Sequence, residues 1–224
     1  MEDEPEQAPG GGGHIIAGFE ICLRLLSIAV CVLDARDTAA GATGSVYIWR
    51  YLPLTPEDAA HPGGPFQGRP TLDQITPLLF LALDELMDEL EGMGTSHIDC
   101  VLIENQPSRP NGMYRQVQMM IYSYFQLRAH WEGQVSKVQM MSSFAKLQGH
   151  AYEIGAAPSS KFGYALHRWR AVAHILCYMG GDETLRRFFQ GVKKKGELAG
   201  AALMAISYAR RNGIALDRIE SRTL

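Results

Sequence analysis

The sequence predicts an α/β fold: a mixed central sheet, three antiparallel strands then two parallel ones, flanked by helices. Three observations carry this. The first quarter holds three short apolar runs rich in β-branched residues, His14–Glu20, Leu25–Leu33 and Val46–Leu52. The middle alternates helix-like and strand-like segments, the order that builds parallel pairing through crossover helices. From residue 163 onward the apolar spacing is helical almost to the end.

Taken in order, residues 1–13 are acidic and then glycine-rich, and read as a disordered tail. His14–Glu20 and Leu25–Leu33 read as paired strands joined at Ile21–Arg24. Val46–Leu52 alternates and reads as a third strand, giving an antiparallel meander. Pro53–Pro70 carries too much Pro and Gly for anything but loop. Thr71 or Thr76 can cap the next helix, with Pro77 in its first turn, and the helix runs to about Glu91 with Leu79, Leu83, Leu86, Met87 and Leu90 on one face. Asp99–Glu104 is a short apolar strand that ends in an acid. Tyr114–His130 is a helix and Gln134–Met141 a strand. Gly163–Met179, Glu183–Gln190 and Leu198–Asn212 are helices. Residues 14–212 thus form one domain, with 213–224 as a C-terminal tail.

The chain has 224 residues, 46% of them hydrophobic and 20% charged, enough for one domain with a sizeable core. Its net charge of −3 excludes a global basic field, so a nucleic-acid partner must be held by a local patch. Cys22, Cys31, Cys100 and Cys177 lack metal-ligand spacing and read as reduced core thiols of an intracellular protein. His14–Leu33 is apolar, but Glu20 and Arg24 interrupt it and the residues before it are acidic, so it reads as strands and not as a membrane span or signal peptide. His130, His150, His167 and His174 show no ligand spacing. Met119, Met120, Met140 and Met141 read as core filler.

Acids at the ends of central strands are the first pointer to a site, because open α/β sheets bind ligands there. Glu20 sits where the first strand runs out, and Glu104 ends the strand after the first helix. A carboxylate at such a rim is costly unless paired or metal-bound. The second pointer is Lys193-Lys-Lys-Gly-Glu-Leu-Ala-Gly-Ala201. Glu197, Gly200, Ala201 and Met204 share one helix face. Carboxylates at the first two of these positions could grip a divalent cation, but Gly200 has none. The plain alternative is an amphipathic helix behind a solvated lysine run.

Four segments together resemble the poxvirus-type Holliday junction resolvases, a RuvC-like group with the RNase H fold. They are His14 to Asp34, Val101-Leu-Ile-Glu-Asn-Gln-Pro107 with Arg115 and its helix, Val138 to Lys146, and Lys193 to Ala201. The resemblance implies an RNase H-like sheet and a nuclease site. It places Glu20 on a metal-binding Asp, Glu104 on a metal-binding Glu, Lys146 on an active-site lysine and Glu197 on the first of two late acids. Gly200 falls on the second late acid, and Gly196 also replaces an acid. Cys22 takes the place of a hairpin glycine and Leu25 that of an asparagine.

The resemblance further implies Mg²⁺ (or Mn²⁺) held by Glu20, Glu104 and Glu197, acting in cleavage with Lys146. It implies four-way junction DNA as partner, bound through Arg115, Lys193, Lys194 and Lys195, and a homodimer working in recombination and repair. Its source would be a large DNA virus, its place the host cytoplasm or a replication factory. Arg109, Lys137, Lys161, Arg168 and Arg170 add cationic candidates. With one acid gone, two outcomes stay open: impaired cleavage through one weakly held ion, or a pseudo-resolvase that binds junctions or proteins without cutting.

Overall fold

The computed structural model describes residues 13–22, 27–36, 41–54, 71–106, 112–150, 152–156 and 163–222. Most of the expected tail at 1–13, the loop at 53–70, the turn after Cys22, Arg109 and Lys161 lie outside them.

Six strands form one sheet: β1 (His14–Cys22), β2 (Ser27–Arg36), β3 (Thr43–Pro53), β4 (Cys100–Asn105), β5 (Val138–Ser142) and β6 (Arg218–Ser221). Their spatial order is β5-β4-β1-β2-β3-β6. The meander β1–β2–β3 is antiparallel, while β4 is parallel to β1 and β5 parallel to β4. This is the expected RNase H-like sheet, with one strand more.

That strand corrects the expectation of a tail over 213–224. Residues 218–221 pair in parallel with the start of β3. Ile214, Leu216 and Ile219 are buried behind it. Ser221 donates its N–H to Asp182 Oδ2 at 2.7 Å, on the residue that also caps a helix through Leu185 N–H at 2.9 Å. A four-residue strand holding one core residue has too short an alternation to be seen in sequence.

The sheet lies between two helical layers. On one face pack α1 (Leu72–Gly92) and α2 (Gly112–Leu127), around Phe19, Leu79, Leu83, Ile103, Ile121 and Phe125. On the other lie α3 (Gly163–Tyr178), α4 (Glu183–Gly191) and α5 (Lys195–Arg211), around Leu102, Trp49, Phe189, Leu203 and Ile206. Thr71 precedes α1, and its N–H is accepted by Gln74 Oε1 at 2.9 Å. Pro77 therefore sits in the second turn and not the first, where it removes one helical hydrogen bond. Met141 is core, as expected, but Met119 is 43% exposed on α2, where it lines a surface groove with Leu72 and Phe80 of α1.

Helix α5 approaches the sheet more closely than a normal helix can. A Cβ on Gly18 would lie 2.1 Å from the Ala201 carbonyl oxygen. Glycine in β1 and the buried small residues Ala199, Gly200, Ala201, Ala202 and Ala205 let backbone pack on backbone. Trp49 fixes the approach: its Nε1–H donates to Leu198 O at 2.8 Å, and its ring stacks on Phe189 at 5.1 Å. Among the described residues no helix is long and apolar enough to cross a membrane.

Candidate functional site

Strand alternation aims two acids at α5. Ile16 and Cys22 of β1, and Cys100 and Leu102 of β4, point to the α5 face, so Glu20 and Glu104 share it. The two strands run in parallel with Phe19 opposite Ile103. Glu20 and Glu104 follow one residue later, side by side at the carboxyl end of the sheet. Glu20 is not at the very end of its strand, which runs on to Cys22.

Lys146 arrives from the neighbouring strand. After β5 the chain enters a single 3₁₀ turn, Ala145–Leu147. Its ammonium donates to Glu104 Oε1 at 2.8 Å and also to Glu20 Oε2. Glu104 Oε2 accepts from Gln106 Nε2 at 3.0 Å, so both of its oxygens are engaged. Buried Gln118 in turn accepts the Gln106 N–H at 2.9 Å.

The turn that carries Lys146 is clamped from behind. His150 shares a hydrogen bond of 2.7 Å with the Lys146 carbonyl through Nε2, and Tyr178 lies 3.2 Å from its Nδ1. Ser207 Oγ lies 3.2 Å from Ala145 O and 3.1 Å from Gln148 O. Arg210 Nε donates to Gly149 O at 2.7 Å, and Arg211 to Ala145 O. The far half of α5 thereby fixes the turn whose lysine sits against its near half.

Glu197 lies in the first turn of α5 and binds the guanidinium of Arg168 from α3. Arg168, expected as a free cationic donor, is thus an ion-pair partner. Lys137, another such candidate, places its ammonium 5.8 Å from the centre of the Tyr208 ring. Gln106 meets Glu104 within the same strand-end motif, two residues on, whereas nothing in the sequence spacing links Arg168 to Glu197, because the two meet only through tertiary packing.

Burial of these groups sets the electrostatics. Glu20, Glu104 and Lys146 are 2%, 6% and 5% exposed. Burial, and then the neighbouring Glu104 charge, push the Glu20 carboxyl up to about 8, against the pull of Lys146. Burial works against the Lys146 ammonium, but the two glutamates outweigh it and hold its pKa above the ordinary lysine value. Lys146 thus faces both buried acids at once, and that pairing is what lets so dry a cluster form.

The expected Mg²⁺ ligands are therefore together, but they do not fit a divalent ion as arranged. The ammonium of Lys146 lies between two of the carboxylates, and Arg168 takes the third. Gly200 supplies no fourth, and Glu20 Oε2 fills its place: a Cβ there would lie 1.6 Å away. Among the described residues no group of three or more His, Cys, Asp or Glu is arranged to hold a metal ion.

The cationic candidates sit around this centre. Lys193 and Lys194 are exposed just before α5, and Lys195 is half-buried, donating to Val192 O at 2.6 Å. Arg115 is exposed in the first turn of α2, which begins beyond the carboxyl end of β4. The starts of α2 and α5 thus flank one end of the sheet from opposite faces.

No family model matches the chain, and no curated protein matches its sequence. Solved structures do match. The fowlpox virus resolvase in complex with Holliday junction DNA superposes with a TM-score of 0.52 at 11% identity, covering 89% of this chain and 99% of that one. RuvC of Thermus thermophilus superposes with a TM-score of 0.50 at 12% identity, covering 88% and 96%. Both superpositions span nearly the whole of each chain, so the chain has the RuvC-like resolvase fold.

Proposed function

We propose that this protein binds branched DNA, the four-way junction above all, with the carboxyl end of its sheet as the contact face. The observation that carries the reading is the convergence of Glu20, Glu104, Lys146 and Glu197 at that end, flanked by exposed Lys193, Lys194 and Arg115. Exposed lysines and arginines around a crevice neutralise phosphates without reading bases, which suits a partner chosen by shape. The likeness to a resolvase held in complex with junction DNA supports the same partner. Phe80, Leu81 and Met119 leave apolar side chains exposed on α1 and α2. That surface is where a second copy would pack to give the homodimer that a two-fold symmetric junction calls for.

In this reading the residues act as follows. Lys193, Lys194 and Arg115 hold backbone phosphates. Lys146, Glu20 and Glu104 form the floor of the crevice as a buried, ion-paired cluster. Mg²⁺-dependent cutting is the second reading, favoured by three carboxylates still meeting at one place.

A labelled four-way junction, its linear duplex control and the full chain test both. Gel shift should show tighter binding of the junction than of the duplex, with strands uncut in Mg²⁺ and in Mn²⁺. Symmetric cuts that vanish in Glu104→Gln would establish cleavage instead. Equal or no binding of the two DNAs would sink the junction reading.

A further inference from the structure

Two glycines at the start of α5 are each overlaid by a side chain from elsewhere in the fold. A Cβ on Gly196 would come within 2.5 Å of Arg168 Nε and 3.1 Å of its Cβ and Cγ. One on Gly200 would come within 1.6 Å of Glu20 Oε2 and 2.6 Å of Lys146 Nζ. Neither position has room for an acid, or for alanine, while those side chains stay where they are. The intruding groups belong to two ion-pair sets, Lys146 with Glu20 and Glu104, and Arg168 with Glu197. Glycine at 196 and 200 and the positions of these side chains are therefore sterically linked.

We propose that Lys146 and Arg168 are resident counter-ions, standing where a divalent cation would otherwise sit among Glu20, Glu104 and Glu197, and that glycine at 196 and 200 is what admits them. Geometry and charge agree. The ammonium donates to both buried glutamates, as a shared metal ion would bridge them. An incoming Mg²⁺ would have to shed water, expel that ammonium from a site 5% exposed, and find oxygens at about 2.1 Å in octahedral array. The extra methylene of Glu20, relative to aspartate, carries its carboxylate across to the space over Gly200. The acids are kept because each cation needs its partner: a lone charge at such burial is destabilising.

The test uses the full chain, Mn²⁺ as probe and no DNA, so it stands or falls apart from the DNA-binding reading. Thermal midpoints are measured in chelator and in millimolar Mn²⁺, and free Mn²⁺ is followed by electron paramagnetic resonance. The wild type should leave Mn²⁺ free and its midpoint unmoved. Lys146→Ala should melt about 10 °C lower in chelator, since an unpaired buried charge costs several kcal/mol. Mn²⁺ should recover part of that loss, and Lys146→Ala/Glu104→Gln should show no recovery. Saturable Mn²⁺ binding by the wild type that Glu104→Gln abolishes would overturn the proposal. So would a Lys146→Ala protein as stable as the wild type, or one destabilised but blind to Mn²⁺. If Lys146→Ala folds in neither condition, the wild-type titration decides.

Discussion

A Cβ at position 200 would lie 1.6 Å from Glu20 Oε2 and 2.6 Å from Lys146 Nζ. Glycine inside a helix ordinarily loses about 1 kcal/mol against alanine, so Gly200→Ala would be stabilising on an open face. Here the methyl must push a buried, ion-paired carboxylate, and overpacking of that kind costs about 1–3 kcal/mol. The clash wins, and Gly200→Ala should destabilise the fold by about 1 kcal/mol, and by no more than about 2 kcal/mol, in urea unfolding. Glu20→Asp draws the carboxylate back by one methylene and frees that space. Combined with Gly200→Ala it should cost less than the sum of the two single changes, the mark of residues in contact. Strict additivity would show that the two positions do not meet. Glu20, Glu104, Lys146 and Glu197 could all be picked out from sequence, by strand-end acids and by resemblance. Arg168 was legible only as a cation and not as the partner of Glu197, because that pairing spans 29 residues and two helices.

At the scale of the element, the 3₁₀ turn that carries Lys146 depends on a neutral histidine. His150 is held at about 4, well below an ordinary histidine, chiefly by burial, with the charges of His174, Arg210 and Arg211 acting the same way and the Lys146 carbonyl opposing. Its ring centre lies 4.3 Å from that of His174, whose pKa burial also lowers. The sign follows: the folded pKa is depressed, so the unfolded chain takes up a proton first. Stability is full above about 6.5 and is lost as pH falls from there toward 4. Relative to His150→Gln, the wild-type thermal midpoint should therefore fall as pH drops over that window; the comparison between the two proteins isolates this proton from Glu20, whose raised pKa acts with the opposite sign there. An identical slope in both proteins would mean that the turn does not sense this proton. In sequence the four histidines showed only that they lack ligand spacing. The pairing of two of them behind the lysine turn arises from α3 packing under residues 145–150.

At the scale of the whole molecule, a net charge of −3 must be reconciled with the polyanionic partner proposed above. Local cations at one end of the sheet do this, if Lys193 and Lys194 touch phosphate. Each phosphate contact adds about 0.9 to the slope of log affinity against log salt. Lys193→Ala/Lys194→Ala should lower that slope by about 2 for junction DNA, leaving the melting temperature unchanged because both side chains are exposed. An unaltered slope would move the contact face elsewhere. The sixth strand belongs to this scale too. It closes the outer edge of β3 and ties the chain's end to Asp182, a contact of the assembled fold that no local pattern encodes.

Local alternation and helical period, each readable within a window of some ten residues, are enough to place five of the six strands, the long helices and the mixed sheet. Motif order, through resemblance, picks out the four residues of the centre. What that centre is depends on packing. Whether three carboxylates face an open crevice or an internal ammonium depends on how closely α5 meets β1, on the space over Gly196 and Gly200, and on where a turn after β5 delivers Lys146. These are packing distances between segments far apart in the chain, and a displacement of one methylene changes their outcome.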